Sequence, residues 1–285
     1  MKKEGPSIAL FGTSELSVRI FDRLWADGFV PGLLITQPDR PQGRKMAVTP
    51  PPAKVWALSK NIPVIQPDTL KNIPKELAGK EWDLFIVVAY GNILPKELLD
   101  IPLHGTLNVH PSLLPKFRGP SPVRSAILED ARETGVTVML LDEELDHGPI
   151  VAQASVETET WPPPADTLEE LLGDVGGELL AETLLPWLNG DITPEEQDHA
   201  KATYSKKIKK EDALLDLSDD PYTNFLKIQA FRKWPQAYFI QKKNGKDMRI
   251  KVTDASFENG ILTIEKVIPE GKREMRYADF ARNKS

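Results

Sequence analysis

Apolar positions along the chain follow two different regimes. In the first two thirds, short continuous apolar runs alternate with stretches of helical period. Ser7-Ile8-Ala9-Leu10-Phe11, Gly32-Leu33-Leu34-Ile35-Thr36 and Leu84-Phe85-Ile86-Val87-Val88-Ala89 read as strands buried on both faces. Between them, Val18, Phe21, Leu24 and Trp25 repeat as one face of a helix, and residues 53–60 and 71–79 are also helix-like. Such alternation predicts a largely parallel sheet with crossover helices, an α/β fold. Residues 136–141 and 150–154 add later strands, and a Leu- and Glu-rich helix is expected from Thr167 to about Asn189. At Gly190-Asp191-Ile192-Thr193-Pro194 the pattern breaks, which reads as an interdomain linker over 189–205. Beyond it, residues 237–240, 248–252 and 261–264 read as short strands, with tight turns at Asn244-Gly245 and Asn259-Gly260. The expected organisation is a catalytic domain at 1–188 and a small β domain at 206–285.

Charge sharpens that division. The chain has 285 residues with a formal net charge of −6. Residues 201–285 hold 19 Lys and Arg against 12 Asp and Glu, leaving 17 against 30 before them: a net of +7 follows a net of −13. A basic carboxyl-terminal region can attract phosphate locally although the whole chain is acidic. Composition (40% hydrophobic) permits a full core. No apolar run is long enough to span a membrane and no signal peptide is indicated, so a cytoplasmic protein, read as a monomer, is expected. With no cysteine, and with His104, His110, His147 and His199 forming no paired ligand motif, no metal is expected. The turn after the first strand has a single glycine and no Gly-Lys-Ser/Thr follows, so neither NAD nor ATP is supported.

The chemistry concentrates at Asn108-Val109-His110-Pro111-Ser112-Leu113-Leu114-Pro115-Lys116-Phe117-Arg118-Gly119 and at Leu145-Asp146-His147-Gly148. If 106–110 is a strand, alternation puts Asn108 and His110 on one face. Pro111, Pro115 and Gly119 then end it, leaving the pair at the carboxyl end, where open α/β sheets hold their ligands. Asn108 and His110 offer donors to an oxygen that gains negative charge as a carbonyl is attacked. Asp146 can take a proton from an attacking amine, directly or through water. The set fits acyl transfer to an amine. Singly, each residue also has a structural reading: a strand end, a satisfied buried histidine, a turn cap.

The spacing Asn108-x-His110-x-Ser112-Leu113-Leu114-Pro115-x-x-Arg118-Gly119, followed by Asp146-x-Gly148, resembles the signature of the formyltransferases that use 10-formyltetrahydrofolate. Gly12-Thr13-Ser14-Glu15, Thr36-Gln37-Pro38-Asp39-Arg40-Pro41-Gln42-Gly43-Arg44, Val87-Val88-Ala89-Tyr90-Gly91-Asn92-Ile93-Leu94-Pro95 and Ala202-Thr203-Tyr204-Ser205-Lys206-Lys207-Ile208 look like the methionyl-tRNA formyltransferases in particular. The likeness covers most of the chain. It implies a Rossmann-like formyltransferase domain and a carboxyl-terminal OB-like β-barrel, a fold that commonly binds nucleic acid. It implies formyl transfer from the co-substrate 10-formyltetrahydrofolate to the α-amino group of methionine on initiator tRNA, with Asn108, His110 and Asp146 catalytic. Ser112, Leu113, Leu114 and Pro115 would line the folate site, and Val88, Ala89, Tyr90 and Gly91 part of the pterin pocket.

Residues 37–54 hold five prolines together with Arg40, Arg44, Lys45 and Lys54, and read as a long basic loop. In the family the similar loop enters the acceptor end of the tRNA, which makes Arg40, Arg44 and Lys45 expected tRNA contacts, as are Lys206, Lys207, Lys209 and Lys210. A charge run alone is usually a solvated face. The loop and the basic second domain favour tRNA over the two other readings, a sugar-nucleotide N-formyltransferase with the same donor and a non-catalytic RNA-binding relative. Against the family pattern, Ser14-Glu15-Leu16 replaces Pro-Glu-Phe, Gly119-Pro120-Ser121-Pro122 replaces Gly-Ala-Ala-Pro, His147 and Pro149 replace Thr and Asp, and the second domain is short.

Overall fold

The computed structural model describes residues 5–42, 46–243 and 245–282. Along the chain run β1 (Ile8–Gly12), α1 (Glu15–Ala26), β2 (Leu33–Ile35), β3 (Arg40–Gln42), β4 (Ala47–Thr49), α2 (Pro52–Ser59), β5 (Val64–Ile65), α3 (Lys75–Ala78), β6 (Leu84–Val88), α4 (Lys96–Leu99) and β7 (Thr106–His110). There follow α5 (Pro122–Leu128), β8 (Thr134–Leu140), β9 (Ile150–Val156), α6 (Ala165–Leu188), α7 (Pro221–Ala230), β10 (Tyr238–Lys243), β11 (Lys246–Glu258), β12 (Ile261–Pro269), β13 (Met275–Arg276) and α8 (Tyr277–Arg282). Two compact units result. The first is drawn from residues up to Pro120, from Thr134–Val156 and from Glu170–Tyr204; the second from Ser121–Glu133, Glu157–Glu169 and the residues from Ser205 on.

The first unit is built on a seven-stranded sheet, order β5-β2-β1-β6-β7-β8-β9. It is parallel from β5 to β7, and β8 and β9 add to it antiparallel. β1 and β6 are the all-apolar runs, buried at every position as central parallel strands covered on both faces must be. On α1 the buried stripe is Ser17, Ile20, Phe21 and Leu24, one residue away from the Val18 expected to start it. Ser17 takes the inward place because its hydroxyl donates to the Val88 carbonyl at 2.6 Å. The helix expected at 71–79 is confined to Lys75–Ala78, because the residue before Pro74 is forced out of the helical region. The 37–54 loop carries a two-stranded ribbon, β3 against β4, outside the main sheet.

Behind β7 lies α6. Its Gly173, Gly176 and Gly177 are buried and face α1 and the sheet; a Cβ on Gly176 would lie 3.2 Å from Cγ1 of both Val109 and Val136. Arg19 and Arg23 of α1 reach across to Asp174 and Glu178 at 2.8 and 2.9 Å.

In the second unit, Asp130 after α5 accepts hydrogen bonds from Trp161 Nε1 at 2.7 Å and the Tyr222 hydroxyl at 2.8 Å, and α5 packs on α7. The small β domain expected there is a four-stranded antiparallel sheet of order β10-β11-β12-β13, which stays open among the described residues. Asn259 and Gly260 both have positive φ, 51° and 80°, as the tight turn between β11 and β12 requires. β11 runs 13 residues, well past the expected 248–252, with register shifts between Val252 and Ala255.

Candidate active site

β7 spans Thr106–His110, as the alternation predicts, and its register sets Asn108 opposite Met139 and His110 opposite Thr137. Both polar residues are buried. The chain then folds over the strand end through residues 111–119, helped by positive φ at Phe117 (59°) and Gly119 (105°). That turn aims the Phe117 carbonyl at His110 Nε2, 2.9 Å away. A carbonyl only accepts, so the hydrogen of a neutral ring sits on Nε2 and the other nitrogen, Nδ1, carries a lone pair. Nδ1 faces Asp146, with Oδ2 at 3.7 Å. The sequence leads one to expect a His110 donor toward the site; with Nε2 engaged, Nδ1 donates only when the ring is protonated.

Asp146 comes from the β8–β9 connection and is itself in the left-handed region (φ 48°), a costly conformation for a residue with a Cβ. Its Oδ2 accepts from the Gly119 amide at 2.6 Å. Two residues on, only glycine fits: a Cβ at Gly148 would lie 2.0 Å from the Leu140 carbonyl oxygen. The Asp146-x-Gly148 spacing is thus a close approach of backbone to backbone. Distant segments of the sequence bring His110 and Asp146 face to face, with Asn108 on the same strand.

A cavity of about 260 Å³ opens between α4, the start of β7 and the end of β8, lined among others by Lys96, Leu99, Thr106, Leu140, Leu141, Asp142 and Glu143. The Thr106 hydroxyl is buried there without a hydrogen-bond partner among the described residues. Asp142 joins the cavity to the Asp146 loop by accepting from His147 Nδ1 at 2.7 Å. None of the eight residues expected to bind the cofactor lines this cavity. Val88 and Tyr90 are core, the Tyr90 ring 5.6 Å from that of Phe11, and burial raises the Tyr90 hydroxyl above its ordinary pKa. Ala89 and Gly91, both with positive φ, are exposed at the end of β6. Ser112 and Leu114 are buried and tied to their own loop: Ser112 Oγ donates to the Lys116 carbonyl at 2.6 Å, and Gln153 Nε2 to the Leu114 carbonyl at 2.8 Å. Leu113 and Pro115 are half-buried. The cavity residues carry no sequence signal of their own, since they combine one helix turn, a strand start and a loop. Among the described residues, no group of three or more His, Asp or Glu is placed to hold a metal.

Of the expected tRNA contacts, Arg40 is exposed on β3, while Arg44 and Lys45 lie outside the described residues. Lys54 is committed elsewhere, bonding both oxygens of Asp39 at 2.8 Å and so anchoring the base of the loop. Lys206, Lys207, Lys209 and Lys210 are exposed in the second unit.

Residues 8–184 match the family model described as formyl transferase. The methionyl-tRNA formyltransferase of Bacillus subtilis is 38% identical over 301 residues, covering 96% of this chain and 94% of that protein. That of Chloroflexus aurantiacus is 41% identical over 247 residues, covering 85% and 78%. Among solved structures, an N-formyltransferase from Helicobacter canadensis, in complex with folinic acid and dTDP-3-aminofucose, superposes with a TM-score of 0.67 over 89% of this chain and 88% of its own at 18% identity, a likeness of fold alone. A family match over most of the first unit, joined to relatives alike over 85–96% of this chain, shows that the chain belongs to the formyl transferase family and, within it, to the methionyl-tRNA formyltransferases.

Proposed function

We propose that this protein transfers the formyl group of 10-formyltetrahydrofolate to the α-amino group of methionine on initiator tRNA, forming N-formylmethionyl-tRNA. The observation that carries the reading is the facing pair of buried His110 and half-buried Asp146 at the carboxyl end of β7, in a chain so close to methionyl-tRNA formyltransferases. The amine nitrogen bonds to the formyl carbon, the bond from that carbon to N10 breaks, and one amine proton ends on N10. A free α-amino group titrates at about 7.7–8.0, so a neutral, nucleophilic fraction exists near neutral pH.

Asn108 donates to the oxygen that becomes negative, and His110 joins it through Nδ1 when the ring carries its second proton. Asp146, held through Oδ2 by Gly119, keeps its other oxygen for the amine proton and passes it toward N10. The cavity suits a flat pterin: Leu99, Leu140 and Leu141 give it apolar sides, and the unpartnered Thr106 hydroxyl awaits a polar edge. Ala89, Gly91, Leu113 and Pro115 border the rest of the folate. Arg40, Arg44 and Lys45, with Lys206, Lys207, Lys209 and Lys210, contact tRNA phosphates. Charged tRNA as substrate puts the reaction in the cytoplasm.

The test offers labelled donor to the protein with methionyl initiator tRNA and, separately, with an amino-sugar nucleotide. Label is expected only on the methionyl-tRNA; transfer to the sugar alone would overturn the reading.

A further inference from the structure

Three consecutive residues of the loop after β7 bear on the catalytic pair, two directly and one through Gln197. The Phe117 carbonyl fixes His110 Nε2 at 2.9 Å, and the Gly119 amide fixes Asp146 Oδ2 at 2.6 Å. Between them, the buried guanidinium of Arg118 grips Gln197 Oε1 with Nε at 3.1 Å and a terminal nitrogen at 2.6 Å. Gln197, also buried, turns its amide nitrogen the other way and donates to the carbonyls of Asp146 at 3.0 Å and Gly148 at 2.7 Å. Those two carbonyls flank His147 on a loop whose left-handed Asp146 must be held against its own preference. One side chain therefore links the loop that orients His110 to the loop that carries Asp146.

The segment bearing Gln197 is well fixed. Glu195 exchanges both backbone hydrogen bonds with Ile150, at 2.7 and 2.8 Å, and Thr203 accepts from the amides of Phe117 and Arg118 at 2.8 and 2.9 Å. Residues 195–203 thus run as a strap from the start of β9 to the loop after β7. The Arg118 guanidinium also donates to His199 Nδ1 at 2.9 Å, and the His199 ring stacks on His147 at 4.1 Å.

We propose that Gln197 is a positioning residue for formyl transfer: gripped by Arg118, it holds the Asp146 loop in register with His110. This rests on the activity proposed above. Glutamine is suited to the place because it accepts at one end and donates at the other. Glutamate there would keep Arg118, as an ion pair, but would turn an acceptor on two carbonyls.

Gln197→Glu and Gln197→Ala are compared with wild type in the formylation assay, in thermal unfolding, and by hydrogen exchange of residues 142–149. Both variants are expected to lose about 10²-fold in kcat, as for a reacting group displaced by about 1 Å. KM for methionyl-tRNA should stay within about twofold, which separates lost positioning from lost binding. Gln197→Glu should keep its Tm within about 2 °C, little enough to exclude general unfolding, while residues 142–149 exchange faster. A Gln197→Glu enzyme with wild-type kcat, or one whose lost activity merely follows a lowered Tm, overturns the proposal. If wild type transfers no formyl group, the activity reading fails instead, and exchange of residues 142–149 decides the clamp alone: unchanged exchange in Gln197→Glu refutes it.

Discussion

At the carboxyl end of β7, buried His110 and half-buried Asp146 are held by backbone partners, whereas on the β3–β4 ribbon Arg40 is exposed, as are Met46 and Val48 at 66% and 68%. On the proposed function, the first region is held in place by the protein itself, so its geometry sets a rate. The second meets tRNA phosphates, so it sets an affinity that salt can erase. Replacing residues in the two regions should therefore move different quantities.

The largest separation is expected at the pair itself. Asp146→Ala or His110→Ala should lower kcat on the order of 10²–10⁴-fold, the usual range for a proton-transferring or oxyanion-holding group, with methionyl-tRNA binding nearly unchanged. Parallel losses in single-turnover rate and filter binding would erase the contrast. Next comes the lysine run: changing Lys206, Lys207, Lys209 and Lys210 together to Ala should flatten the log–log salt dependence of tRNA binding by about 3, at roughly 0.7 per phosphate contact on a flexible strand. Arg40→Ala should weaken tRNA binding by about tenfold, some 1.4 kcal/mol, and leave kcat at saturating tRNA intact.

The smallest effect concerns the footing of the ribbon. Bonds from Lys54, and then from Gln66, hold the Asp39 carboxyl below its ordinary pKa. A lowered value in the folded state means that the contact stabilises fully above the ordinary carboxylate range, about pH 4, and fades as pH falls through the folded value. Protection of the amides over 37–54, taken relative to their intrinsic exchange rate at each pH, should fall on acidification in wild type and lose that dependence in Asp39→Asn.

Much of the site was readable because it obeys local rules. Residues 106–110 show strand alternation and are followed by Pro111, so the strand and the shared face of Asn108 and His110 could be read directly. What decides the tautomer of His110 is a main-chain oxygen, Phe117's, placed by a positive φ that an aromatic residue does not advertise. Gln197 sits in a polar stretch that reads as linker, and its meaning comes from Arg118 and Asp146, both distant in sequence. The strands of the second unit were seen only at their apolar centres. β11 continues through Thr253 to Glu258, where side chains are half-buried or exposed and no apolar run marks the strand.

Gly176 has a consequence for the chemistry on the opposite side of the sheet. Val109, flanked by Asn108 and His110, rests where a methyl on that helix would have to go. Gly176→Ala would oblige Val109 and Val136 to give way by a few tenths of an ångström, directly behind the strand that carries amide and imidazole. On the proposed reading, the chemistry at the front is thereby tied to the thickness of a helix at the rear.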